Sequence, residues 1–411
     1  MQRTALTVGE PAPWFHLPTG TRPSFSFDTI AGHYVVLAFF GSSTEAQAQE
    51  VLQQLQLLRP LFDDDRLMFF GVTTDPEDVR LQRVRDSLPG IRYFHDLEGR
   101  VSKRYGARLA DGSHRATTYL LDPCLRVLAR LDWSGDAHGH VARLQELLQG
   151  LPAWGPAHAA QPQAPVLVVP EIFPPALCKS LIAYYDRLGG EDSGFMRDIN
   201  GQTTTIVDHS FKRRGDRMVE DPELQQQCML AIRRRLAPLV YRAFQFKATY
   251  MERALVSCYD AQERGHFRPH RDNTTLGTSH RRFAVSLFLN SGEYDGGQLR
   301  FAEFGHALYS APMGGAVVFS CSLLHEATAV TRGRRYMFLP FLYDEASSQV
   351  REANLQHLSD KVIHLAGGRA MGQADAPAAP PAARDGDTAL TGPAGANASI
   401  SNAAATHRLT D

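Results

Sequence analysis

Apolar residues in this chain gather into short unbroken runs separated by polar and glycine-rich stretches, and the spacing of those runs changes character along its length. Tyr34 to Phe40, Leu67 to Val72, Thr117 to Leu121 and Val127 to Leu131 are runs of strand length, which predict buried strands. Between the first two, Val51, Leu52, Leu55, Leu57 and Leu58 recur at helical spacing up to Pro60, and Val141, Leu144, Leu147 and Leu148 predict a closing amphipathic helix. Strands that alternate with helices predict an α/β layer fold over residues 1–150.

The pattern then lapses. Residues 151–165 set four prolines among small residues, which predicts an extended linker. Beyond it, helical stretches over Pro174 to Leu188 and Pro222 to Phe244 precede the runs Phe283 to Leu289, Gln298 to Phe301, Ala316 to Ser320 and Tyr336 to Leu342. Glycine-rich turns separate these runs, so residues 166–365 are expected to form an α+β domain with a β-sandwich or barrel core. Residues 366–411 are dominated by Ala, Gly and Pro and contain no Phe, Trp or Tyr, a composition that predicts a disordered tail.

Composition narrows the function. Over 411 residues, 43 Lys and Arg face 44 Asp and Glu. There is no basic excess of the kind that phosphate neutralisation requires, so no nucleic-acid partner is expected. The longest wholly apolar run, Tyr34 to Phe40, is far short of the ~20 residues of a membrane-spanning helix. Cys124, Cys178, Cys228, Cys258 and Cys321 are odd in number and scattered, which suits a reducing compartment. A cytoplasmic protein without a membrane partner is the expectation.

In the first piece, the order of Tyr34-Val-Val-Leu-Ala-Phe-Phe40, a helix, Leu67-Met-Phe-Phe-Gly-Val72 and Arg115-Ala-Thr-Thr-Tyr-Leu-Leu-Asp-Pro123 resembles the thioredoxin-like fold of peroxiredoxins, over roughly residues 5 to 150. Those enzymes carry a peroxidatic cysteine after the first of these strands, at a helix start that lowers the thiol pKa. Here Gly41-Ser-Ser-Thr-Glu-Ala-Gln-Ala-Gln-Glu50 supplies none, and the only cysteine of the piece, Cys124, follows Asp122-Pro123 in a turn. Arg115 matches the arginine that peroxiredoxins aim at that cysteine, but has no thiol to activate. The resemblance implies a degenerate, non-catalytic redoxin serving docking, homodimerisation or stability.

The chemistry lies in Cys258-Tyr-Asp-Ala-Gln-Glu-Arg-Gly-His-Phe-Arg-Pro-His-Arg-Asp-Asn273. One residue separates His270 from Asp272, so on an extended chain both side chains leave the same face. His325 is the candidate third ligand. Two imidazoles and a carboxylate form the facial triad of non-haem Fe(II) oxygenases, which leaves positions open for a chelating cosubstrate and dioxygen. Arg335, ten residues after His325, can hold the far end of a dicarboxylate with its planar fork. A zinc pair of His266 and His270 is disfavoured because Gly265 and Pro269 oppose a continuous helix. The basic stretch Phe211-Lys-Arg-Arg-Gly-Asp-Arg217 and the run Arg233-Arg-Arg235 read as solvated faces, the former being the better candidate for a substrate contact.

With Ser286-Leu-Phe-Leu-Asn290, Tyr294-Asp-Gly-Gly-Gln-Leu-Arg-Phe301 and Pro312-Met-Gly-Gly-Ala-Val-Val-Phe319, this region, roughly Val168 to Tyr343, resembles the Fe(II)- and 2-oxoglutarate-dependent dioxygenases, in particular the prolyl 4-hydroxylase-like branch with its double-stranded β-helix (jelly roll). The resemblance implies that His270, Asp272 and His325 are catalytic metal ligands for Fe(2+). It implies that Arg335 binds 2-oxoglutarate, that Tyr259 lines the cosubstrate pocket, and that L-ascorbate is an accessory cofactor. The implied reaction hydroxylates a substrate, a peptidyl or prolyl residue or a small molecule, and releases succinate and CO2. The alternative is a non-catalytic iron or 2-oxoglutarate sensor, or a scaffold, with a degenerate redoxin domain.

Overall fold

The computed structural model describes residues 5–153, 155–157, 159, 161–359 and 406–409. Contacts divide the chain into two units, Met1–Ala160 and Gln161–Asp411.

The first unit is built on a five-stranded sheet. Its strands are β1 (Tyr34–Gly41), β2 (Leu67–Thr73), β3 (Ile91–His95), β4 (Thr117–Leu121) and β5 (Val127–Asp132), in the order β3-β2-β1-β4-β5. The pairs β1–β2 and β2–β3 are parallel; β1–β4 and β4–β5 are antiparallel. Both faces are covered, and that is why β1 reads as an unbroken apolar run. Val35, Leu37 and Phe39 face Phe70, Phe94 and Tyr119, whereas Val36, Ala38 and Phe40 meet Val51 and Leu55 of α1 (Ala46–Leu55) and Val141 and Leu144 of α2 (Ala137–Gln149). The sequence pattern did not disclose β3, because Arg92 and His95 interrupt its apolar residues.

The second unit places a large antiparallel sheet against a smaller one. Its elements in chain order begin with β6 (Leu167–Val169), α3 (Pro175–Leu188), the hairpin β7 (Phe195–Ile199) and β8 (Gln202–Ile206), β9 (Lys212–Arg213), β10 (Gly215–Met218), α4 (Pro222–Ala231) and α5 (Ala237–Phe244). They continue with β11 (Tyr250–Glu252), β12 (Leu255–Asp260), β13 (His266–His270), β14 (Phe283–Phe288), β15 (Leu299–Arg300), β16 (Leu308–Tyr309), β17 (Ala316–Ser320), β18 (His325–Ala327), β19 (Arg334–Phe338), β20 (Phe341–Tyr343) and β21 (Thr406–Arg408). The large sheet runs β21-β11-β20-β14-β19-β12-β10, with β17 paired to β14 and β6; the small one runs β9-β13-β18-β15-β16.

Period-two alternation gives the large sheet two different faces. Val256, Val285, Leu287, Val318 and Phe338 pack on Leu181, Ile232, Leu236 and Val240 of the helical layer. The intervening Tyr259, Phe288, Val317, Phe319 and Met337 turn inward and join Leu299 and Ala327 of the small sheet. Each fully buried Phe or Leu here contributes roughly 1.5–3 kcal/mol over the exposed state. This two-sheet, helix-backed arrangement is the jelly roll expected from the sequence.

Several elements depart from the sequence reading. Pro222 to Phe244 is interrupted by a π-helical turn, Ile232–Leu236, because Pro238 cannot donate a backbone hydrogen bond to the turn before it. Tyr336 to Leu342 is two strands, broken at Leu339-Pro340 for the same reason. Most of the tail expected to be disordered lies outside the described residues, but Thr406–Arg408 form β21 against β11, and Leu409 is buried in the core between sheet and helices. Three residues of edge pairing and one apolar anchor suffice there, a signal too short to read from composition. At the end of the expected linker, Ala164 is also buried, and its N–H donates to Tyr309 Oη at 2.9 Å.

Candidate functional site

Strands β13 and β18 pair antiparallel with His270 directly opposite His325, so the ladder register brings the two imidazoles side by side, ring centroids 4.3 Å apart. Asp272 follows β13, its N–H donating to Cys321 O at 3.0 Å. Its carboxylate lies 3.6 Å from His270 Nε2 and 3.4 Å from His325 Nε2. Among the described residues this is the group of three His, Cys, Asp or Glu side chains whose ligand atoms converge, all within 4.8 Å of one another.

Neighbouring backbone fixes which nitrogens are free. His270 Nδ1 faces Arg268 O at 2.7 Å and His325 Nδ1 faces Leu323 O at 3.0 Å. A ring nitrogen opposite a carbonyl must carry the proton, so both Nε2 lone pairs point toward Asp272, as metal ligation requires. Burial pushes His325 down to about 4, only partly offset by Asp272, so it stays neutral near pH 7.

The large sheet supplies the opposite wall. Arg335 on β19 is the cross-strand partner of Tyr259 on β12, and its guanidinium lies 4.9 Å from the Tyr259 ring and 5.3 Å from Phe288. Arg335 is 1% exposed, and its Nε has no hydrogen-bond partner among the described residues. Gly297 (φ +71°) lies beneath it, where a Cβ would fall 2.5 Å from Arg335 Cδ. This explains the second glycine of Tyr294-Asp-Gly-Gly: the backbone must leave room for the arginine. Asn290 joins β14 to β19 by accepting from Tyr336 N and donating to Arg334 O, both at 2.9 Å.

His270, Asp272, His325, Arg335 and Tyr259 all line one cavity of about 700 Å³. The structure places two further residues there that were read as solvated. Lys212 and Arg214 are 4% and 7% exposed, because β9 pairs with β13 and β10 with β12, which turns alternate residues of this basic stretch inward. Only the period-two alternation of Lys212 and Arg214 with Arg213 hinted at this. Arg214 pairs with Asp216 at 2.6 Å and donates to Tyr259 Oη at 3.3 Å. His266 lies apart from the cluster's chemistry: Arg264 O and Ser210 O face its two nitrogens, at 2.9 and 3.2 Å.

Near the His270, Asp272 and His325 cluster, Glu252 receives a bidentate contact from Arg281, Nε at 2.8 Å and Nη2 at 2.6 Å, and a third from His280 Nε2 at 2.9 Å. Burial would raise Glu252, but Arg281 and His280 hold it well below its ordinary range. Arg281 in turn donates to Asp272 O at 3.4 Å, tying this buried pair to the loop that carries the carboxylate. Nothing in the local sequence pattern marked Glu252 for this position.

In the first unit, the turn after β1 holds a carboxylate network. Buried Asp78 accepts from Ser43 N at 2.9 Å, from Thr73 Oγ1 at 2.7 Å and from Ser43 Oγ. Arg115 is exposed, and Cys124 is exposed in the turn between β4 and β5. No described helix is long and apolar enough to cross a membrane.

Each unit contains a segment that matches a known family. Residues 8–129 match the AhpC/TSA family and residues 254–343 the 2OG-Fe(II) oxygenase superfamily. A PKHD-type hydroxylase of Shewanella frigidimarina is 36% identical over 84 residues, and one of Synechococcus sp. is 34% identical over 88. Each match covers 20% of this chain, and the chain spans 37% and 38% of those relatives. Among solved structures, a Pseudomonas putida prolyl-4-hydroxylase (20% identity, TM-score 0.35) covers 44% of this chain and 94% of its own. A Mycobacterium tuberculosis peroxidoxin (20% identity, TM-score 0.32) covers 36% and 99%.

The Glu252 network generates a stability test. Glu252→Gln leaves the Arg281 charge buried without its partner, so unfolding free energy in denaturant titration is expected to fall by about 3–5 kcal/mol. A loss within experimental error would mean that the ion pair does not support the loop carrying Asp272.

Proposed function

We propose, for a chain that joins an AhpC/TSA-family thioredoxin-fold domain to a 2OG-Fe(II) oxygenase domain, that it is an Fe(II)- and 2-oxoglutarate-dependent hydroxylase. The observation that carries this reading is the register of His270 against His325 with Asp272 between their Nε2 atoms, across the cavity from a buried arginine whose Nε has no hydrogen-bond partner among the described residues. The donor set fits the metal, since two neutral imidazoles and one carboxylate suit Fe(II) and leave a face open. The Arg335 site fits a carboxylate: its Nε is buried and unsatisfied, a cost that an incoming anion would remove.

His270, Asp272 and His325 would hold the metal, with Arg268 O and Leu323 O orienting the rings. Bound there, Fe(II) supplies the activation of dioxygen, coupled to decarboxylation of 2-oxoglutarate to succinate and CO2. Arg335 would anchor the far carboxylate of the cosubstrate against the ring of Tyr259. Phe288, Phe319 and Leu299 line that wall and keep water from it. The substrate would enter from the side bearing Lys212 and the hairpin β7–β8, whose residues line the same cavity. The AhpC/TSA domain is assigned a docking or stabilising role, since a buried carboxylate network occupies the turn where the resembled enzymes carry their thiol.

Three outcomes test these assignments. His270→Ala, Asp272→Ala and His325→Ala are each expected to lose stoichiometric ferrous ion binding and succinate formation while keeping a folded circular dichroism spectrum. Full turnover in any one would sink the metal site. Arg335→Lys is expected to raise the 2-oxoglutarate dissociation constant about ten- to a hundredfold, since an ammonium cannot reproduce the fork. An unchanged constant would place the cosubstrate elsewhere. The metal-free full chain is expected not to reduce hydrogen peroxide with a dithiol; peroxide consumption abolished by Cys124→Ser would restore a redoxin activity to the first domain.

A further inference from the structure

The cavity carries more buried positive charge than the proposed metal and cosubstrate engage. Arg214 is paired with Asp216 and Arg281 with Glu252, both at 2.6 Å, and Arg335 is assigned above to 2-oxoglutarate. Asp272, another carboxylate that lines the cavity, belongs to the candidate metal-ligand cluster. A dication and a dicarboxylate entering together add no net charge. Lys212 and Arg253 are two further cations of this cavity.

Charges of both signs surround them: Asp216 and Asp272 favour the Lys212 charge while Arg214 and Arg253 oppose it, and Glu252 and Asp216 favour that of Arg253 while Arg281 and Arg214 oppose it. The Lys212 ammonium is 4% exposed and donates to Ser193 Oγ at 2.7 Å and to Gly194 O, which leaves its third proton without an assigned acceptor. It lies 4.9 Å from the centroid of Phe267, a ring that stacks on His270 at 3.5 Å, so this charge is one aromatic ring away from a metal ligand. Arg253, in the left-handed region (φ +55°) between β11 and β12, donates from Nε to Leu339 O at 3.2 Å and covers Phe341 at 4.5 Å. Among the described residues no carboxylate ion-pairs with either side chain. Burial, with Arg214 and Arg253 adding to it, pushes Lys212 well below the usual ammonium range, and burial with Arg281 and Arg214 brings Arg253 down to about 10. Arg214 and Asp216 act on both charges, and a bound anion would offset part of the cost of burying them.

We propose that Lys212 and Arg253 form a second anion subsite, separate from Arg335, and that the substrate of the proposed hydroxylase presents a carboxylate to it. The word substrate rests on the hydroxylase reading; the subsite does not. Lys212 offers a compact point charge one aromatic ring from His270, and Arg253 a planar fork over Phe341. Asp216 and Glu252, held by Arg214 and Arg281, keep the rest of the wall neutral, so that the pair discriminates acids from their amides.

The test is calorimetric, on the full chain saturated with Mn(II) and 2-oxoglutarate so that the cosubstrate site is filled, and repeated on the metal-free chain. The probes are L-glutamic acid α-amide and an acetylated, C-terminally amidated Glu-containing tetrapeptide, each against its glutamine counterpart, with inorganic phosphate as a competitor. At least one acid is expected to bind ten- to a hundredfold more tightly than its amide, and which one does so distinguishes a free acid from a peptide side chain. Lys212→Met and Arg253→Gln are each expected to reduce that ratio to near one. Arg253 is only half-buried, so Arg253→Gln keeps the test available if Lys212→Met fails to fold. Equal binding of acids and amides, a preference that survives both substitutions, or phosphate binding more tightly than either acid would each overturn the carboxylate subsite. Failure of the unaltered chain to bind Mn(II) or 2-oxoglutarate would instead count against the hydroxylase reading, while the acid-to-amide ratio on the metal-free chain still decides the subsite.

Discussion

The antiparallel register that sets His270 opposite His325 is the constraint on which the second domain depends. A slip of one residue along β13 or β18 would turn one imidazole to the other face of the small sheet and dissolve the cluster. The register is held from several directions: β18 is paired on its other edge by β15, β13 by β9, and the chain after β13 is pinned where Asp272 N–H meets Cys321 O. The carbonyls that fix the imidazole tautomers belong to the same strands or the residues that lead into them, so one backbone arrangement sets both the position of each ring and its free nitrogen.

The facing sheet contributes a different kind of order. Its inner positions alternate with positions buried under helices, so Arg335 and Tyr259 enter the cavity from a wall packed on both sides. A guanidinium at 1% exposure without a carboxylate partner is tolerable only where a ligand or a stacked aromatic shares the charge. The cavity combines neutralised charges, Asp216 with Arg214 and Glu252 with Arg281, with charges left open. The neutralised pairs give shape and orientation, and the open ones are available for recognition.

The first domain retains the layered fold without the reactive group that the fold resemblance leads one to expect. Its sheet is buried on both faces by clusters of Phe, Tyr, Val and Leu, and none of that packing requires a thiol at the turn after β1. Asp78 ties Ser43 to Thr73 and so stabilises the turn by hydrogen bonding alone. Fold and chemistry are separable here because one lives in the core and the other at a single loop position.

Much was legible before any coordinates. The unbroken runs at Tyr34 and Leu67, the alternation around Phe283 and Ala316, and the spacing of His270, Asp272, His325 and Arg335 are local signals, since period and residue type alone determine which face a side chain leaves. What remained illegible was non-local. Lys212 and Arg214 looked like a solvated basic stretch until β9 and β10 were paired with strands some forty to fifty-five positions later in the chain. Glu252 and Arg253 had no pattern to mark them, and β21 joined the sheet edge from beyond a long stretch rich in Ala, Gly and Pro. The sequence by itself determined the two fold classes and the identity of the metal-ligand and arginine candidates. Only tertiary structure decided which charges are buried, which are paired and which stay open, because desolvation and ion pairing depend on distances across strands that no local spacing encodes.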